Sequence, residues 1–172
     1  MKNWLAGLCG TLLLCLCVQA RAVDYSLPDV EGHMQSLDQY LGKWVIVNYW
    51  ATWCGTCRKE LPDLVSLYEN NRQDLVVVGI NFETIDRQAL KDFITKQNIS
   101  YPVLRSEPVR HTPLGPVPAL PTTYIIDPAG KLVAGEVGMV SKQNIEDYIA
   151  GQRDKFKASD RNHDRLSRKV QE

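Results

Sequence analysis

The chain has 172 residues, 44% of them hydrophobic and 23% charged, with 20 Lys and Arg set against 20 Asp and Glu. That length supports one core of ordinary size and is short for two typical domains. A balanced charge with no broad basic stretch excludes the electrostatic footprint of a nucleic-acid binder, and no repeat or low-complexity segment points to an array or a linker protein.

Residues 1–22 read as a removable secretory signal. Lys2 supplies the positive end, Trp4 to Val18 the apolar stretch, and Ala20-Arg21-Ala22 the small-x-small cleavage site. The mature chain then starts at Val23, slightly acidic because Lys2 and Arg21 leave with the signal and no acid does. An uncleaved membrane anchor is the competing reading, although the apolar stretch falls short of the roughly 18 to 20 residues of a spanning helix. A lipid-anchor cysteine is disfavoured because Cys9, Cys15 and Cys17 each follow a leucine. These three cysteines lie inside the signal, so only Cys54 and Cys57 remain for chemistry.

Ser26 to Val30 and His33 to Leu37, around Glu31-Gly32, read as two short strands and a turn. Trp44 to Trp50 is nearly all apolar, as expected of a central strand covered on both faces. From Thr56 to Asn70, Leu61, Leu64, Val65, Leu67 and Tyr68 recur at helical spacing with the charged residues mostly opposite. Leu75 to Phe82 is a second buried strand, Asp86 to Gln97 a second helix, and Tyr101 to Leu104 a short extended piece. Thr122 to Asp127, the turn Pro128-Ala129-Gly130, and Lys131 to Ala134 form a hairpin. A last helix covers Ser141 to Gln152 with Ser141 as N-cap, and the densely charged stretch from Arg153 to Glu172 reads as a frayed or disordered tail. Strands alternating with helices and ending in a hairpin predict an α/β domain over 23–152, a mixed sheet with helices on both faces.

Cys54-Gly55-Thr56-Cys57 lies between the central strand and the first helix. Two thiols at this spacing suit a reversible disulfide, because a loop so short constrains the unfolded chain little and makes a poor staple. A cysteine attacks as the thiolate, and Cys54, just before a helix N-terminus, faces unpaired N–H groups that favour negative charge. Cys54 is therefore the expected attacking thiol and Cys57 the resolving one, with Trp53 beside them as a flat apolar docking surface. The same spacing also binds metal. A zinc site lacks ligands, since only His33, His111 and His163 remain, whereas a copper-carrying module using the thiols and His111 stands as the alternative function. A peroxidase would need a lone peroxide-reducing cysteine, against which the pairing speaks. No metal and no cofactor is expected in the first reading.

The run Val45-Ile46-Val47-Asn48-Tyr49-Trp50-Ala51-Thr52-Trp53-Cys54-Gly55-Thr56-Cys57-Arg58-Lys59-Glu60-Leu61-Pro62 resembles the signature of the thioredoxin-like superfamily, and within it the exported TlpA-type thiol-disulfide oxidoreductases. The likeness runs from about Tyr25 to Ile149 and includes Val77 to Asn81, Tyr101 to Leu104, and Leu120-Pro121-Thr122-Thr123 to Asp127. It implies a thioredoxin-like fold, a central mixed sheet flanked by helices with an N-terminal β-hairpin. It further implies protein-disulfide reductase activity in the periplasm, on protein thiols and disulfides of the cell envelope. A membrane electron donor would feed it, and apocytochrome c before haem attachment is one task of such relatives. The chain is expected to act as a monomer.

Residue by residue, Pro121 matches the family's cis-proline opposite the thiols, so Leu120, Pro121 and Thr122 are expected at the substrate groove beside Trp53. Pro62 matches the proline that kinks the active-site helix. Glu60 matches a carboxylate that could exchange a proton with Cys57, an ordinary solvated glutamate being the alternative. Asn48 stands where thioredoxin has a buried aspartate, leaving Glu60 or Glu83 to serve instead. The departure is 108–119, with Pro108, Pro113, Pro116 and Pro118, and with Ala119 in place of a glycine. That segment is expected to resist helix formation, to sit beside the groove and to alter partner choice.

Overall fold

The computed structural model describes residues 23–154, so the expected signal 1–22 and the tail from 155 onward lie outside the described residues. Strands β1 (Ser26–Pro28) and β2 (Met34–Ser36) pair antiparallel around a turn in which Asp29 Oδ1 accepts the backbone N–H groups of Glu31, Gly32 and His33. A 3-10 turn, Leu37–Tyr40, leads into β3 (Trp44–Trp50), helix α1 (Gly55–Asn70), β4 (Leu75–Phe82), helix α2 (Arg87–Lys96) and β5 (Val103–Ser106). Asp86 caps α2, accepting from Gln88 N and Ala89 N. Then follow β6 (His111–Thr112), β7 (Gly115–Pro116), β8 (Thr122–Ile126) and β9 (Leu132–Val137). A third helix, α3, occupies 142–154, two residues into the stretch that composition assigned to the tail. Ser141 Oγ accepts from Asn144 N, as an N-cap should.

The five-stranded sheet has the order β5-β4-β3-β8-β9. β3, β4 and β5 are parallel, while β8 is antiparallel to β3 and to β9. Every residue of β3 and β4 is buried, which explains why both read as unbroken apolar runs. The strand period sorts them into two cores. Trp44, Ile46, Trp50, Leu75, Val77, Val103 and Ile125 face one way and meet Leu61, Leu64 and Leu67 of α1, Leu90 of α2, and Ile145 and Ile149 of α3. Val45, Val47, Tyr49, Val76, Val78, Ile80, Phe82, Tyr124 and Ile126 face the other way and meet Tyr25, Leu37 and Leu114.

All three helices thus pack on one face, where helices on both faces were expected. The β3–α1–β4 and β4–α2–β5 crossovers advance across the sheet in the same direction, and right-handed crossovers then deliver both helices to the same side. The opposite face is covered by the N-terminal segment and by the proline-rich stretch. That stretch does resist helix, and it forms the small β6–β7 hairpin instead. Tyr49 and Tyr124 reach out of the core to hold it: the Tyr49 hydroxyl bonds Thr112 Oγ1 at 3.1 Å, and the Tyr124 hydroxyl donates to the Pro116 carbonyl at 2.6 Å. Gly115, at φ +135°, turns the hairpin where a Cβ would lie 2.6 Å from the Tyr124 hydroxyl oxygen.

Candidate active site

β3 ends at Trp50, and the chain turns through Ala51 to Cys54, closed by the Cys54 N–H to the Ala51 carbonyl at 3.1 Å. Cys54 is the N-cap of α1, and its sulfur accepts the Cys57 backbone N–H at 3.2 Å, with Thr56 Oγ1 at 3.3 Å. Cys54 and Cys57 are joined as a disulfide, with Cα atoms 5.3 Å apart. Both cysteines are buried in the disulfide form, Cys54 retaining 5% of its surface and Cys57 none, a difference in the order expected of an attacking and a resolving residue. In the reduced pair, the first-turn N–H groups and the helix dipole would favour a thiolate on Cys54.

Trp53, 68% exposed, projects beside the pair. Leu120 packs against both cores, and the Leu120–Pro121 bond is cis. Because Thr122 pairs with Tyr49 across the antiparallel β3–β8 ladder, Pro121 falls at the β3 end from which the Cys54 turn departs. Pro121 O accepts from Gly138 N at 2.8 Å, which ties the segment after β9 to the same end of the sheet. Thr122 is buried, and its hydroxyl donates to the Ala119 carbonyl at 2.6 Å, so its side chain shapes the approach to Pro121 from within.

Glu60 is 1% exposed, which removes the reading of an ordinary solvated helix residue. Three residues after Cys57, it shares that cysteine's face of α1. Its Oε1 accepts from Asn48 Nδ2 at 2.8 Å and its Oε2 from the Val140 backbone N–H at 2.9 Å. Burial pushes the Glu60 carboxyl above the usual glutamate range; the bonds from Val140 and Asn48 oppose this, and the charge of Asp63 adds to it. Asn48, also buried, gives a second bond to Thr123 Oγ1 at 3.0 Å. Pro62 sits exposed inside α1, which continues to Asn70, so the helix is not broken and the carbonyl that loses its N–H partner lies on the solvent side.

Glu83, placed just past β4, accepts Thr52 N at 2.7 Å and Asn81 Nδ2 at 2.8 Å through Oε1, and the Thr52 hydroxyl at 3.2 Å through Oε2. Sequence reasoning offered Glu83 only as an alternative to Glu60 in place of the missing aspartate, and missed Thr52 and the Val140 N–H. A signal for Asn48 as a partner of Glu60 was available, since an amide between Ile46 and Trp50 on the buried face of a strand must find polar company. None existed for Val140, whose backbone arrives from a separate part of the fold. Among the described residues no three His, Cys, Asp or Glu side chains gather as metal ligands, so His111, exposed on β6, does not join the thiols. Nor is any described helix long and apolar enough to cross a membrane.

A thioredoxin-like sheet that delivers a disulfide-bonded cysteine pair to the N-terminus of its first helix, the first cysteine keeping a little exposed surface and the second none, defines a thiol-disulfide oxidoreductase, and that is the class of this protein. The AhpC/TSA family matches residues 18–134, and the chain belongs to that family. It is similar to the thioredoxin-like protein YneN of Bacillus subtilis, 32% identical over 131 residues that cover 75% of this chain and 76% of the relative. It is also similar to the thiol-disulfide oxidoreductase ResA of Bacillus subtilis, 30% identical over 129 residues, 74% of this chain and 72% of that one. Among solved structures, a DsbF homologue from Corynebacterium diphtheriae superposes with a TM-score of 0.68 at 29% identity, covering 77% of this chain and 86% of its own. A secreted thiol-disulfide isomerase from Corynebacterium glutamicum gives 0.67 at 28% identity, covering 72% and 80%.

Proposed function

We propose that this chain is exported to the periplasm and there reduces disulfides of protein partners, recharged by a membrane electron donor and acting as a monomer. The observation that carries the exchange reading is the buried Glu60 carboxyl, held by Asn48 and the Val140 N–H on the face of α1 it shares with Cys57, while the reducing direction rests on the likeness to the TlpA-type proteins. A carboxyl whose pKa is raised by burial can take the proton of Cys57 as that thiol becomes a nucleophile, and can return it on recharging.

In the reaction the Cys54 thiolate attacks one sulfur of the partner disulfide. That S–S bond breaks, its other sulfur leaves as a thiolate and takes up a proton, and a mixed disulfide joins Cys54 to the partner. Cys57, deprotonated by Glu60, then attacks Cys54 Sγ. The Cys54–Cys57 disulfide forms as the bond between Cys54 and the partner breaks; the partner's sulfur leaves as a thiolate and takes up a proton, so the partner departs as a dithiol carrying the two electrons. Trp53 and the half-buried Leu120 form the docking surface for an extended partner segment, Pro121 and Thr122, both buried, underlie it, and the β6–β7 hairpin borders it. Export rests on the leader 1–22 and on relatives such as the secreted Corynebacterium glutamicum protein. Apocytochrome c awaiting haem is one substrate of suitable chemistry, a polypeptide with two nearby cysteines.

Equilibrating the Cys54–Cys57 pair in graded thiol buffers tests the direction of transfer. A reduction potential at or below about −220 mV fits a reductase with a dedicated donor. One near about −120 mV would make the chain a disulfide donor and overturn the reductase reading.

A further inference from the structure

The turn that presents Cys54 is not held by its own residues alone. Cys54 N–H to Ala51 O closes it, and inside it the Thr52 backbone N–H and hydroxyl both point at one carboxyl group, that of Glu83. Glu83 reaches this position because β3 and β4 run parallel and in register, Trp50 opposite Asn81, so that the two chains leave the sheet side by side. Asn81, fully buried on the last turn of the ladder, donates to Glu83 Oε1 at 2.8 Å and fixes the carboxyl from below. The residue after Thr52 is the exposed Trp53, and the next is Cys54. The single carboxyl therefore fastens the rigid end of β4 to the short segment on which the attacking sulfur and its neighbouring indole are carried.

We propose that Glu83 is a positioning residue for thiol-disulfide exchange, acting through Thr52 to hold Cys54 Sγ against the N-terminal N–H groups of α1. This deepens the exchange reading and rests on it. Without Glu83 the Thr52 N–H and hydroxyl lose their shared partner and the turn can swing. The Cys54 sulfur then leaves the line of the Cys57 N–H that it meets at 3.2 Å. The thiolate loses stabilisation, and its trajectory toward a partner disulfide is no longer fixed. Misplacement of a reacting atom by about 1 Å is enough to cost rate by up to about a hundredfold.

The test uses the reduced full chain, with Cys54 alkylation by iodoacetamide followed against pH and insulin disulfide reduction measured alongside. Glu83→Ala is expected to raise the apparent pKa of Cys54 toward that of a free thiol and to slow both reactions about tenfold. Glu83→Gln keeps an Oε1 that can accept from Thr52 N and Asn81 Nδ2, and is expected to return most of the rate. A purely structural Glu83 would lower the melting temperature while leaving the Cys54 pKa and alkylation rate unchanged, and that result overturns the proposal. Should Glu83→Ala fail to fold, Glu83→Asp, whose carboxyl ends one methylene short of Thr52, carries the test with the same two outcomes. Alkylation needs no partner protein. Failure of the wild-type chain to reduce insulin would count against the exchange reading, whereas unchanged alkylation in the variants would count against Glu83.

Discussion

The two faces of the sheet are built from neighbouring residues of the same strands, yet they differ in what they bury. The face that α1, α2 and α3 leave uncovered closes on a tyrosine and phenylalanine cluster: the Tyr49 ring meets Phe82 and Tyr124 edge-on, at 5.4 and 6.1 Å between centroids, and the two tyrosine hydroxyls emerge at its margin to hold the β6–β7 hairpin. The helical face buries Glu60, Asn48 and Thr123 deep among its apolar side chains, next to the cysteines. Leaving an ionisable group there is unfavourable for stability and useful for moving a proton, while the aromatic face supplies the rigidity against which the site is set.

The largest stability loss is expected where the helical face is most tightly closed. A Cβ on Gly79 would lie 2.7 Å from Trp50 Nε1 and 2.9 Å from Tyr101 Cε2, and Trp50 cannot easily retreat because it stacks on Phe93 of α2 at 5.5 Å. Gly79→Ala should therefore cost about 1 to 3 kcal/mol in denaturant titration. It should also slow Cys54 alkylation, since Trp50 is where the Cys54 turn begins. A stability loss with alkylation unchanged would mean that the packing of this face and the presentation of the thiol are separable.

On the other face Tyr124→Phe removes only the bond to the Pro116 carbonyl, an exposed residue to which water can bind instead. About 0.5 to 1 kcal/mol is expected, with Cys54 reactivity unaltered. Slower alkylation in this variant would break the division of labour between the faces and give the hairpin a part in setting the thiol itself.

How much of this was legible follows from the distance over which each feature is determined. β3 and β4 could be read to the residue, because burial on both faces writes an unbroken apolar run. The first turn of α1 and the cysteine pair are local too, and the resemblance pointed to a cis bond at Pro121, which is present. The face on which the helices lie was misjudged, because amphipathicity says that a helix packs and not on which side; strand order and crossover handedness decide that. The β6–β7 hairpin escaped notice because its strands are two residues each and its hold comes from Tyr49 and Tyr124, far away in sequence. The same applies to the site. Cys54, Cys57 and Glu60 lie within one helix start and were read together, whereas Glu83 and the Val140 N–H reach it from the ends of other strands.

The smallest effect expected is a slope, and it isolates the buried carboxyl. Glu60 titrates above the ordinary glutamate range in the folded chain because burial disfavours its charge. Between the ordinary value and the raised one, the folded state keeps a proton that the unfolded state has released. Stability from this group is thus fully present below the ordinary glutamate pKa and is lost as pH rises through the raised one. Glu60→Gln abolishes that titration at the expense of a buried donor. Turning the Asn48 amide over lets its Oδ1 accept from the new Nε2–H and from the Thr123 hydroxyl, but carries Nδ2 to the place where Oδ1 had no partner, so the variant is expected to lose stability at every pH and only the slope reports the carboxyl. Denaturant midpoints of the disulfide form, followed from acid to neutral pH, should decline in the wild type relative to Glu60→Gln as pH rises, the opposing contribution of Asp29 and Asp86 being common to both, while Tyr124→Phe keeps the wild-type slope. Equal slopes in all three chains would show that Glu60 carries no more proton in the folded state than in the unfolded one. The polar insertion under the thiols would then be a packing feature, no different in kind from the hydroxyls on the aromatic face.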